Sequence, residues 1–340
     1  GFMHLPIDTS QYHTYENNIQ YQLTQEGYFS FFAAKLALQA SYEVYQEKPF
    51  DSQDSEYTVQ WIEGGGWGIP NDIRVLNVIN QEATGIQVAL VSSSMPAMTI
   101  VAIRGTNNWK NVATDLATWR VSPRDFGQGS MNRCLSDHDI RVHKGFWSAY
   151  LSIRKELLSA LKNHYRPSAL EVTDLKSQME LEEPNDDPIV FTGHSLGGAL
   201  ACLAALDNAT LTNPLQSTFA CFTFGSPRVG SHSFAKFYDK KVPHTMRLVY
   251  ERDAVSDQPK FCCAFKHIGK EILIDERGNC ICGPTFVEKA FSASKTSFGD
   301  HSIMCYVKGF NACTIAHDGD LEGASNSNIN INPTESSIVQ

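Results

Sequence analysis

Ile189-Val190-Phe191-Thr192-Gly193-His194-Ser195-Leu196-Gly197-Gly198-Ala199-Leu200 decides how the rest of the chain is read. Its first four residues suit a buried strand, being apolar, aromatic or β-branched. Gly198 through Ala205 is rich in Ala and Leu and predicts a helix. Between them lies Gly193-His194-Ser195-Leu196-Gly197, a G-x-S-x-G pentapeptide in a strand–turn–helix setting. A serine presented on so tight a turn needs neighbours almost without side chains two positions either side, and Gly193 and Gly197 meet that need. Ser195 then stands at a helix N-terminus, where free N–H groups and the helix dipole favour an anion. The residue types and their order point to Ser195 as a nucleophile.

The composition narrows the classes. The chain has 340 residues, 42% of them hydrophobic and 19% charged, with a net charge of −9. That length and apolar content support a sizeable core. No Lys/Arg cluster of the kind that tracks phosphates is present, which argues against nucleic acid as a partner. No apolar run approaches the length of a transmembrane segment. Gly1-Phe2-Met3-His4-Leu5-Pro6 has neither a basic nor an apolar signal region, so a cytoplasmic protein started at Met3 and a secreted one with its signal removed both fit. Nine cysteines leave the compartment open. Cys202, Cys221 and Cys305 sit in apolar runs and read as small buried hydrophobes. Cys262, Cys263, Cys280 and Cys282 bracket a predicted hairpin and lie near enough in sequence to pair. Their spacing lacks the two-residue gap of zinc ligands, so free thiols or a disulfide are favoured over a metal, and no cofactor is expected.

Along the chain, residues 1–26 form an irregular arm. A helix is predicted over Phe31–Tyr45, with an apolar stripe at Phe32, Leu36, Ala40 and Val44. After the Gly64–Gly68 loop come strands at Ile73–Ile79, Thr84–Val91 and Met98–Ile103. The last of these is nearly all apolar, as in the centre of a sheet, and leads to Thr106 at a carboxyl edge. Acyl transfer needs a backbone N–H besides that of the residue after the nucleophile, and Thr106 is placed to complement Leu196. In Asn107–Arg120, Trp109, Val112, Leu116 and Trp119 fall on one face of a predicted helix, a candidate lid over 107–125 as well as an ordinary packed helix. Helices are predicted at Phe146–Leu161 and Ser233–Tyr238, strands at Thr218–Phe224 and His244–Glu251, and a solvated loop at Asp174–Pro188. The alternation argues for a mainly parallel sheet with helices on both faces. Residues 1–317 read as one catalytic domain and 318–340 as a loosely attached tail.

In elbow-type chains the order is Ser, then acid, then base. Among the histidines after the last sheet strand, His301 is favoured, as it lies in a loop before a short buried helix. His267 and His317 are the alternatives. Asp253 ends a strand beside Ser195, and Asp257 is its rival.

Six motifs now stand in order: Ile103-Arg104-Gly105-Thr106, Val142-His143-Lys144-Gly145-Phe146, Gly193–Ala199, Gly225-Ser226-Pro227-Arg228-Val229-Gly230, Glu251-Arg252-Asp253-Ala254-Val255 and Asp300-His301. Together they resemble the class 3 lipases, the group of the Rhizomucor and Rhizopus fungal enzymes. The resemblance implies an α/β-hydrolase fold, a Ser195–Asp253–His301 triad, an oxyanion site at Thr106 and Leu196, a mobile lid, and hydrolysis of a lipid or other ester at an oil–water interface. Phospholipase A1, an aryl or feruloyl esterase, and an inactive binding protein are the other readings. One departure stands out: the family's Pro-rich turn after the acid is replaced by Ser256-Asp257-Gln258-Pro259.

Overall fold

The computed structural model describes residues 31–45, 73–94, 97–105, 120–122, 140–165, 185–259, 264–284 and 297–320. Ten strands and five helices lie in this part. They are β1 (Ile73–Gln81), β2 (Ile86–Ser94), β3 (Ala97–Arg104), β4 (Arg120–Val121), β5 (Val142–His143), β6 (Ile189–His194), β7 (Phe219–Phe224), β8 (Thr245–Tyr250), β9 (Lys270–Ile274) and β10 (Cys280–Cys282). The helices are α1 (Phe31–Glu43), α2 (Lys144–Tyr165), α3 (Leu196–Thr210), α4 (His232–Lys241) and α5 (Ile303–Asp320).

Eight strands form one sheet in the order β1-β2-β3-β6-β7-β8-β9-β10. From β3 to β9 the neighbours are parallel, while β1-β2, β2-β3 and β9-β10 are antiparallel. The mainly parallel reading therefore holds for the centre, and hairpins finish the edges. The central strands are buried along their whole length, β3 apart from its ends and β6 throughout. Runs of that kind carry residues for both faces, and period-two alternation separates them. Val101, Ile103, Ile189, Phe191 and Cys221 face α2, α3 and α4. Ile100, Ala102, Val190, Ala220 and Phe222 face α1 and α5. A fully buried Leu or Phe in either layer contributes about 2 kcal/mol of transfer free energy.

Several expectations change in detail. Helix α1 is buried from Ala33 to Gln39 without a break, including Lys35 and Gln39, so it has no solvent face opposite a stripe. It lies on β3, β6 and β7, where Thr192 Oγ1 donates to the Ala37 carbonyl at 3.2 Å and meets Ser41 Oγ at 3.0 Å. Arg120, the last residue of the helix expected from Asn107, instead pairs antiparallel with His143, and Val121 with Val142. Helix α5 is 18 residues long rather than short, and its last three residues cross the expected boundary at 318. Cys202 and Cys221 are buried as expected, whereas Cys305 is only half-buried. The arm at 1–26, the Gly64–Gly68 loop, Cys262, Cys263 and most of the tail lie outside the described residues.

A buried charge locks α2 to α3. The Asp207 carboxylate accepts from the Tyr150 hydroxyl at 2.6 Å and from Arg154 Nε at 2.6 Å and Nη2 at 3.0 Å. Burial, with Asp207 alongside, pushes the Tyr150 phenol well above its ordinary range, so it stays a donor. Removing the carboxylate leaves a guanidinium and a hydroxyl without their acceptor. We expect Asp207→Ala to lower unfolding free energy by about 3 kcal/mol in urea titrations. A loss under about 1 kcal/mol would place this pair among solvent-screened ones.

Candidate active site

Ser195 is the residue between β6 and α3, and its backbone has φ 58° and ψ −127°. A non-glycine residue with positive φ is strained. The strain is held by close packing. The Ser195 N–H donates to the Phe224 carbonyl at 2.9 Å, tying the turn to β7. A Cβ on Gly193 would collide with the Gly197 backbone, and one on Gly197 with the Ile103 carbonyl oxygen. The two glycines thus let the start of α3 rest directly on β3 and β6. The N–H of Leu196 opens α3, beside Gly105 at the end of β3.

Across the carboxyl edge, a 3-10 turn Gly299–His301 presents His301. Its Nε2 lies 2.7 Å from Ser195 Oγ, and its Nδ1 lies 2.8 Å from Asp253 Oδ2. With Nδ1–H donating to the carboxylate, Nε2 is left with its lone pair toward the serine hydroxyl. All three residues are buried. The arrangement is a continuous path for a proton from a hydroxyl to an imidazole steadied by a carboxylate.

The Asp253 carboxylate has two further donors. The Val255 N–H donates to Oδ1 at 2.8 Å, and the Tyr306 hydroxyl donates to Oδ2 at 2.7 Å. Burial, reinforced by Asp253, pushes the Tyr306 phenol well above its usual range, which keeps its proton in place. Tyr306 was not singled out from the sequence. The available signal was its place five residues after His301 in the apolar first turns of a helix, where a buried Tyr needs a partner. Gly225, at the end of β7 with φ 62°, makes room for all of this. A Cβ there would sit 2.5 Å from Asp253 Oδ2, 2.8 Å from Tyr306 Oη and 3.1 Å from His301 Nδ1.

The loops carrying Asp253 and His301 are bonded to each other. Ser297 N–H donates to the Arg252 carbonyl and Ala254 N–H to the Ser297 carbonyl, each at 3.0 Å. Ser297 Oγ also accepts from the Gly299 N–H at 3.0 Å, capping the His301 turn. The departure from the family's Pro-rich turn is absorbed locally, since Ser256 Oγ donates to the Asp253 carbonyl at 2.7 Å.

The rival candidates lie elsewhere. The Asp257 carboxylate is 51% exposed and 3.6 Å from Arg228. His267 follows Lys266, which bridges to Gly230 away from the elbow. His317 is on α5, its side chain outside the described residues, as are Thr106, Trp109, Val112, Leu116 and Trp119. Among the described residues there is no group of three His, Cys, Asp or Glu placed to hold a metal ion. None of the described helices is long and apolar enough to cross a membrane.

Residues 100–262 match the family described as Lipase (class 3). Over just under half of its length, the chain therefore resembles the class 3 lipases. It is 31% identical to the lipase of Rhizomucor miehei over 165 residues, 48% of this chain and 40% of that protein. It is 27% identical over 222 residues to secreted mono- and diacylglycerol lipase 1 of Fusarium solani, 65% of this chain and 56% of the relative. Phospholipase A1-II 1 of Oryza sativa subsp. indica is 31% identical over 175 residues, 51% of this chain and 41% of the relative. The chain thus spans about half the length of these relatives. Lipase II from Rhizopus niveus superposes with a TM-score of 0.57 at 22% identity, over 80% of this chain and 90% of that one. The lipase of Rhizopus microsporus var. chinensis gives 0.54 at 21% identity, over 87% and 88%. The fold is the α/β-hydrolase fold.

His194 adds a pH-sensitive element to this site. Its ring lies against that of His301, centroids 4.7 Å apart, and Nε2 donates to the His301 carbonyl at 2.7 Å. Burial first, then the neighbouring His301, pushes its pKa down to about 3. The folded state therefore refuses a proton that the unfolded chain accepts near pH 6.5. The resulting stability is whole above that pH and is lost as pH falls toward 3. Between pH 7 and 5 we expect this group alone to cost about 2 kcal/mol. Melting curves of His194→Gln should decline less steeply over that interval, and parallel declines would exclude His194 as the source.

Proposed function

We propose that this chain is a class 3 lipase, a serine carboxylic ester hydrolase acting on triacylglycerols. The observation that carries the proposal is the hydrogen-bonded relay from Ser195 through His301 to Asp253. His301 Nε2 takes the Ser195 proton as Oγ attacks the ester carbonyl, and Asp253 steadies the imidazolium that forms. The tetrahedral anion develops at the start of α3, where the Leu196 N–H is one donor. Thr106, the next residue after Gly105, is proposed as the other on its position in the sequence. His301 then protonates the leaving alkoxide, and water repeats the sequence on the acyl-enzyme. Tyr306 and Val255 act on Asp253, and through it hold the imidazole in its tautomer. The helical pattern of Trp109, Val112, Leu116 and Trp119 supports a substrate met at an oil–water interface. Several relatives are lipases by name, which favours triacylglycerol. The 31% identity to a rice phospholipase A1 favours a second reading, hydrolysis of a phospholipid ester.

We expect Ser195→Ala to lower kcat for a p-nitrophenyl ester by at least about 10³-fold, and wild-type turnover in that variant would sink the assignment. Gly225→Ala pushes a methyl group against Asp253, Tyr306 and His301. The displaced relay should cost about 10²-fold in kcat with little change in KM. Rates on emulsified triacylglycerols of increasing chain length, set beside phosphatidylcholine vesicles, separate the two substrate readings. Preference for phosphatidylcholine would shift the assignment to the phospholipase.

A further inference from the structure

Cys280 and Cys313 meet where the sheet edge touches the C-terminal helix. Their Sγ atoms are 3.3 Å apart, although 33 positions separate them in the chain. Cys280 begins β10 and is half-buried, and Cys313 lies on the inner face of α5 and is 1% exposed. Both partners are held in place by other contacts. The β9–β10 turn is fixed by Asp275, whose Oδ1 accepts from the N–H groups of Arg277 at 2.9 Å and Asn279 at 2.8 Å. Gly278 at its tip rests on the helix, since a Cβ there would strike the backbone of Ala312 and Cys313. One turn earlier, a Cβ on Gly309 would lie 2.8 Å from Ile274 Cγ2. The helix is thus seated on the hairpin on both sides of the sulfur pair.

We propose that Cys280 and Cys313 form a disulfide that clamps α5 to the edge of the sheet. The S–S bond is roughly 1.3 Å shorter than the present separation, a distance closed by turning the two side chains about Cα–Cβ. The oxidant is a small or protein disulfide such as glutathione disulfide. Cys280, the more accessible thiol, gives up its proton and attacks one glutathione sulfur, releasing the first glutathione. The Cys313 thiolate then attacks the Cys280 sulfur and releases the second. Two protein thiols are oxidised and one glutathione disulfide is reduced to two glutathiones. The alternatives on nearby chain are less well placed. Cys282 is exposed, and the Cys305 thiol donates to the Gly299 carbonyl at 3.5 Å.

The bond closes a loop that contains Ser297, His301 and Tyr306, the segment that presents the imidazole. Its consequence for turnover rests on the hydrolase reading, but the bond itself does not. The full chain should be equilibrated with oxidised or reduced glutathione, alkylated with iodoacetamide, and digested without reduction for mass spectrometry. We expect a peptide pair joined through Cys280 and Cys313 in the oxidised sample, replaced by two alkylated peptides in the reduced one. Recovery of both cysteines alkylated from the oxidised sample, or of either joined to a different cysteine, overturns the proposal. The oxidised form should melt roughly 5 °C above the reduced form. Cys280→Ser and Cys313→Ala should each melt like the reduced wild type in both buffers. A redox-dependent shift that survives in both variants counts against this pair. The cross-linked peptide decides the bond whether or not the protein hydrolyses esters.

Discussion

The close approach of α3 to the strands beneath it is the constraint on which the site depends. Ser195 adopts a backbone conformation that costs about 1–3 kcal/mol for a residue with a side chain. Nothing in the pentapeptide offsets that cost by itself. It is offset by β6, buried on both faces, by the Phe224 carbonyl that receives the Ser195 N–H, and by a helix of small residues that fits against β3 without side chains between. The register of β3 and β6 places Ile103 opposite Gly193, so the carbonyl that crowds Gly197 comes from the same rung of the sheet. Strain at one residue is thereby a property of three elements packed together.

From that fixed point the rest of the site follows as a matter of anchoring. Asp253 is reached from β8, His301 from the turn before α5, and the two meet because their loops exchange backbone hydrogen bonds at Ser297. Sharing Oδ2 between His301 and Tyr306 gives the carboxylate one orientation, and the Val255 N–H on Oδ1 prevents it from turning. A buried carboxylate with this many donors is a stiff element, which suits a role of holding another group still. On the opposite side, His194 links the elbow to the His301 turn through the His301 carbonyl, and Tyr45 donates to the His194 carbonyl at 3.3 Å.

What could be read from the sequence was what local chemistry dictates. The elbow announced itself because only Gly fits at 193 and 197, and the strand–helix alternation carried the sheet. Asp253 and His301 could be ranked because each follows a recognisable element in the required order. The partners that connect distant loops could not be read so directly. Tyr306 looks like one more aromatic on an apolar helix, and Ser297 like one more polar loop residue. Their roles exist only once β7, β8 and α5 converge. The stripe on α1 was legible, but the burial of Lys35 and Gln39 beside it was not. The cysteines show the same limit, since Cys280 found its neighbour on α5 rather than among the cysteines closest in sequence.

The family match ends at residue 262, while His301 lies 106 positions after Ser195 and the helix supporting the underside of the elbow precedes residue 45. The recognisable pattern and the working unit are therefore different lengths of chain. During synthesis from the N-terminus, α1, the strands β1 to β3 and the segment carrying Ser195 emerge before His301 and α5. The Ser195 hydroxyl is thus made well before the imidazole that faces it. The order of the residues along the polypeptide makes the arrival of the turn carrying His301 the event that closes the hydrogen-bonded relay.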